Sequence, residues 1–100
     1  MFTHVVMWKF LDFAEGKTKE ENLDFVKSSL EALPEKIPFL RSMKVEKDVT
    51  RGERSFDMML AAKFDSPEDL AAYVVHPDHK KVSSYVAKVA SARGAVDYYD

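Results

Sequence analysis

The chain has 100 residues, the size of one domain and too few for two ordinary ones. With 46% hydrophobic and 32% charged residues it can build a core and stay dissolved, which excludes the disordered and fibrous classes. The net charge is -2, with lysines scattered among the acids, and this argues against nucleic acid as the main partner, since phosphate binding needs a concentrated basic footprint.

There is no cysteine, which removes disulfides, thiolate metal sites and thiol catalysis together. The opening MFTHVVMWKF alternates like a strand and lacks the basic region of a secretory signal. No apolar run approaches the ~20 residues that a bilayer span needs. These features set the expectation of an unprocessed cytoplasmic protein without a membrane partner.

Phe2 to Phe10, rich in β-branched and aromatic residues, reads as strand one. Asp12 to Lys17 is a polar turn around Gly16. Thr18 starts a helix, and Glu21 three residues later completes a capping-box pattern. Leu23, Val26, Leu30 and Leu33 form its buried stripe; Pro34 ends it, and Pro38 keeps the next segment extended. Leu40 to Val49 is strand two, charged enough for an edge position. The Arg51–Arg54 turn leads into strand three, Phe56 to Asp65.

Ser66-Pro67-Glu68-Asp69 is a helix start, with a capping hydroxyl, proline at the first helical position and acids in the first turn. That helix runs to Val75 and Pro77 breaks it. A second one is expected from Asp78 to Ala92, with Val82, Tyr85 or Val86, and Val89 inward. Gly94 then closes it, and Ala95 to Tyr99 is the last strand. The order predicts an α+β fold of the ferredoxin-like βαββαβ kind, its second helical segment split at Pro77.

In such a fold the helices cover one sheet face. Strand one offers His4, Val6, Trp8 and Phe10 on one side and Val5, Met7 and Lys9 on the other; strand three puts Met59 and Ala61 on the second side. Four strands leave that second face roughly 350 Å² in projection. An apolar surface of that size marks an interaction site, and an identical sheet is its simplest cover. Val5, Met7, Met59 and Ala61 are therefore the expected homodimer interface, with Lys9, Lys63 and Asp57 as its polar fringe. A half-solvated sheet is the alternative.

The histidines are His4, His76 and His79, two of them in the run Tyr73-Val74-Val75-His76-Pro77-Asp78-His79. Three readings stay open. Structurally, His79 is buried on a backbone carbonyl, His76 is a solvated cation at a helix end and His4 is a core-edge residue. Catalytically, a neutral imidazole and the Tyr73 hydroxyl converge in an apolar pocket, where imidazole serves as a base near neutral pH. As a metal site, His76, Asp78 and His79 would be ligands, but no HExxH-type helix carries them, so no metal is expected. The serine pairs lack a nucleophile elbow, and the three glycines form no phosphate loop.

HVVMWKF at residues 4–10, Ile37-Pro38, FDMMLAAKFDSPEDLAAYVVHPDHKKV at residues 56–82 and the closing VDYY together resemble the stress-responsive A/B barrel (Dabb) family nearly end to end. The resemblance implies a homodimer whose two sheets close into a dimeric α+β barrel. Most of the family has no assigned activity. In plant members that cyclise polyketides, tyrosine and histidine guide an aldol closure in a sheet–helix pocket. The resemblance places His4, Tyr73 and His79 in that pocket as candidate catalytic residues, lined by Val6, Trp8, Met58, Leu60 and Val82. Met58 stands where the cyclising members have a histidine. The implied role is binding of a small apolar or carbonyl-bearing ligand without a cofactor. A cyclase-like lyase is the alternative, and a haem- or quinol-type monooxygenase follows from the shared barrel alone.

Overall fold

Alternation in the first ten residues makes β1 (Phe2–Phe10) the spine of a sheet, because it can serve a neighbour on either side. The computed structural model describes residues 1–100. In it β1 pairs antiparallel with β5 (Met58–Phe64) on one side and β6 (Ala90–Tyr99) on the other, and β4 (Ser42–Lys47) completes the order β4-β5-β1-β6. The charged strand is at an edge, as its composition predicts.

Between β1 and β4 lie α1 (Lys19–Glu31) and the single turn α2 (Leu33–Lys36); α3 (Pro67–Val74) and α4 (Pro77–Val89) separate β5 from β6. The expected polar turn is a small hairpin, β2 (Phe13–Ala14) against β3 (Lys17–Thr18), with Gly16 at φ 74° in its bend. This is a ferredoxin-like α+β fold with a four-stranded antiparallel sheet.

The local start signals work as the residue types require. Thr18 accepts from the Glu21 amide at 3.3 Å while Glu21 Oε1 accepts from the Thr18 amide at 2.9 Å, closing the capping box. Ser66 Oγ accepts the Asp69 amide at 3.3 Å. Pro77 does divide the second helical segment. Pro34 does less than anticipated: α1 stops at Glu31, and the proline sits in the first turn of α2, where its missing N–H costs nothing.

Three expectations fail here. The last helix ends at Val89, not Ala92, and Gly94 caps nothing. Ala90 is already extended, at ψ 142°, and Arg93, Ala92 and Ala90 pair with Trp8, Lys9 and Phe10 across a bulge. The far end of β1 needs a backbone partner, and that demand outweighs the helix propensity of Ala90-Ser91-Ala92-Arg93. His76 does not close the end of α3 but opens α4. Its Nδ1 accepts the Asp78 amide at 3.1 Å as the N-cap of α4. Asp57 is not on the fringe of the outer face. It is buried, its Oδ2 accepting the Phe10 amide at 2.8 Å and facing Lys19 at 3.3 Å.

The core lies between the sheet and the helices, on the face carrying Val6, Trp8, Phe10, Leu60, Ala62 and Phe64. The opposite face is bare. Across it run the rows Lys44–Ala61–Val5–Val96 and Glu46–Met59–Met7–Gly94, apolar in the middle and charged at the β4 edge; Val5, Met7, Met59 and Ala61 are half-buried, and Val96 is 59% and Tyr98 46% exposed beside them.

Candidate active site: a cavity between the sheet and α4

Where α4 crosses β1 and β6 the core does not close. A cavity of about 360 Å³ remains there. Val6, Trp8 and Leu60 form its floor, Val82 and Val86 its roof, and Tyr73 and His79 one end. The cause is side-chain volume. At the inward positions of α4 the chain places His79, Val82, Ser83, Val86 and Ala87, too small together to reach the sheet. The floor residues are buried, whereas Ser91, Ala92 and Arg93 are exposed, so the opening lies along β6.

Tyr73 comes from the last turn of α3 and is 2% exposed, its ring 5.3 Å from that of Phe64 and 4.2 Å from the His79 imidazole. Burial pushes its phenol well above the usual range, so it is a hydrogen-bond donor at any physiological pH. Its hydroxyl is not among the sealed, partnerless polar atoms, of which Thr3 Oγ1 is the one example.

His79 sits in the first turn of α4 with Nδ1 3.2 Å from the Val74 carbonyl. A carbonyl only accepts, so Nδ1 carries the proton and Nε2 keeps its lone pair in the neutral ring. Desolvation by burial lowers its pKa, opposed by the Val74 bond and aided by the positive charge of Arg93. His4, on β1, is held through Nδ1 by Asp97 Oδ1 of β6 at 2.5 Å, the two residues being directly paired across the strands. This leaves its Nε2 as the uncommitted ring nitrogen.

The cavity thus brings together His4, Tyr73 and His79 with Val6, Trp8, Leu60 and Val82. Met58 is not among them. It is buried on β5 beside Trp8, on the side away from β6, and the indole lies between it and the cavity strand. Trp8 therefore bounds the space without filling it. Ser91, Ala92 and Arg93 also line it, and a helical reading of residues 90–92 hides their place on the sheet. No group of three or more His, Asp or Glu side chains comes together in a way that could hold a metal ion. No helix is long and apolar enough to cross a membrane.

Solved structures with the same fold carry varied descriptions. A dimeric protein of unknown function and ferredoxin-like fold from Bacteroides fragilis NCTC 9343 superimposes with a TM-score of 0.79 at 28% identity, over 99% of this chain and 95% of its own. A dimeric ferredoxin-like protein of unknown function from Thermobifida fusca YX gives 0.84 at 23% identity, over 99% and 90%. A hydroxynitrile lyase from Passiflora edulis gives 0.78 at 13% identity, over 97% and 90%, a likeness of fold. No curated protein matches in sequence. The family model for the stress responsive A/B barrel domain, however, matches residues 2–100. From the first residue of β1 to the end of the chain, this protein belongs to the Dabb family.

Proposed function

We propose that this Dabb protein is a homodimer that binds a small, largely apolar ligand bearing a carbonyl group in the cavity under α4. The observation that carries the reading is an apolar space of about 360 Å³ with Tyr73 and His79, their rings 4.2 Å apart, together on its lining. Binding pockets of this type are mainly apolar and hold a few placed polar groups that orient the guest. The dimer reading is supported by the bare apolar face of the sheet and by the dimeric description of the Bacteroides and Thermobifida neighbours. Their two sheets would face each other to form the α+β barrel.

Trp8 is the single tryptophan and borders the cavity, so it reports on binding. Benzylacetone, a neutral aryl ketone, should change Trp8 emission saturably, and Val82→Phe, which fills the space, should abolish the change. A flat titration with the unaltered protein across small ketones, aldehydes and phenols would overturn the reading.

A lyase or cyclase activity is the second reading, and the His79 tautomer favours it. Tyr73 would donate a hydrogen bond to the ligand carbonyl, and His79 Nε2 would take the proton from the adjacent carbon, leaving an enolate and an imidazolium. His4, steered by Asp97, would assist electrostatically. Exchange of the α-hydrogens of benzylacetone with deuterated water tests the step. It should be faster with the protein than without, and His79→Ala should remove the difference. A haem- or quinol-type monooxygenase has only the shared fold behind it.

A further inference from the structure

Arg93 stands on the inner side of β6, opposite Trp8, at the open edge of the cavity. Arg41 is tied to Asp65 at 2.7 Å and Arg51 to Glu20; Arg54, exposed on its turn, and Arg93 pair with no carboxylate, and of these two only Arg93 lines the cavity. No Asp or Glu lines the cavity at all. The acid on the same side of β6, Asp97, is four residues further on, ~13 Å along the strand, and is already held by His4. A guanidinium is thus left facing the mouth of an apolar space with nothing of opposite charge near it.

We infer that the cavity takes an apolar monocarboxylate, its hydrocarbon body over Trp8 and its carboxylate at the mouth against Arg93. This rests on the ligand-pocket reading and narrows its chemical class. Guanidinium is the side chain that matches a carboxylate in a two-pronged hydrogen bond, and it holds its charge at every physiological pH. The apolar walls exclude water from one side of that pair and strengthen it relative to an exposed ion pair. Ser91, also on the lining, adds a hydroxyl beside Arg93. The positive charge of Arg93 already extends across the cavity, since it helps to lower the pKa of His79.

Phenylbutyrate and benzylacetone share a phenyl ring and a short chain and differ in charge, which makes them a matched pair of probes read through Trp8 emission. The unaltered protein should bind phenylbutyrate about tenfold more tightly than benzylacetone, the value of a charge-assisted hydrogen bond at a partly open site. Arg93→Gln should erase that preference by weakening phenylbutyrate about tenfold, with a smaller change for benzylacetone. Arg93→Lys should keep part of it, and added salt should weaken phenylbutyrate alone. Arg93 is exposed, so these variants keep the fold. Equal binding of both probes by the unaltered protein, or a preference that survives Arg93→Gln, overturns the carboxylate assignment while the pocket reading stands. Binding of neither probe overturns the carboxylate assignment, and a titration flat across the other ketones, aldehydes and phenols overturns the pocket reading with it.

Discussion

α1 and α4 are each 13 residues long and cover the same face of the same sheet, yet one seals the core and the other leaves a cavity. From α1 come Leu23, Val26 and Leu30, followed by Leu33 on α2, all buried in the core, and of these Leu30 alone reaches the cavity wall. From α4 come an imidazole, two valines, a serine and an alanine. Tyr85, the large residue of α4, turns instead toward α1, where its hydroxyl donates to Asn22 at 2.5 Å and its ring packs 4.8 Å from Phe25. The helix that could have closed the space spends its bulk on its neighbour. A site in a small domain can thus arise from side chains withheld from a core as much as from groups added to it.

Shortening one side chain on each helix puts this contrast to its hardest test. Leu23→Ala, at a fully buried position, should cost about 4 kcal/mol in urea denaturation, and Val82→Ala, on a wall already facing open space, under about 1 kcal/mol. Equal losses would mean that the α4 side is packed as tightly as the α1 side. The bare sheet face extends the test. Met59→Glu should cost the dimer about 3 kcal/mol by burying an unpaired charge, and light scattering should find monomers at micromolar concentration. If the unaltered protein already scatters as a monomer there, that face is a solvated surface.

Smaller effects separate the supports of the site from the site. Removing the α3 cap with Ser66→Ala should lower stability by about 1 kcal/mol and leave the benzylacetone response of Trp8 intact. The smallest effect is in pH. Burial holds His79 below its ordinary value of 6.5, so the unfolded chain takes up the proton first as pH falls. Stability from this group is complete above about pH 6.5 and declines below it, until the folded protein is protonated too. His79→Gln should flatten that part of the stability curve. An unchanged slope would place the imidazole in water.

Much of this is readable in the chain because it depends on near neighbours. The caps at Thr18 and Ser66, the break at Pro77 and the stripe from Leu23 to Leu33 each follow from residues within a turn or two. The charged edge strand and the face holding His4, Val6 and Trp8 follow from the strand period. The misreadings all involve partners that local pattern does not reveal. His76 reads as the close of one helix because its role as the cap of the next depends on how the chain turns at Pro77. Asp57 reads as an outer residue because nothing in its own strand shows that the Phe10 amide, 47 positions earlier, needs an acceptor.

The amino-acid order alone thus specifies the succession of elements, the two faces of the sheet, the family and the chemistry of the available groups: no thiol, no phosphate loop, a tyrosine and two histidines bound for one side. Local periodicity and steric preference suffice for that, since each residue carries them wherever it goes. The tertiary structure decides where the helix yields to the strand at Ala90, because only the unpaired end of β1 supplies the competing hydrogen bonds. That one decision moves Ser91 and Arg93 from a supposed helix to the mouth of the cavity. The cavity itself is a difference between the volume the backbone encloses and the volume the side chains fill, and no stretch of sequence carries that difference alone.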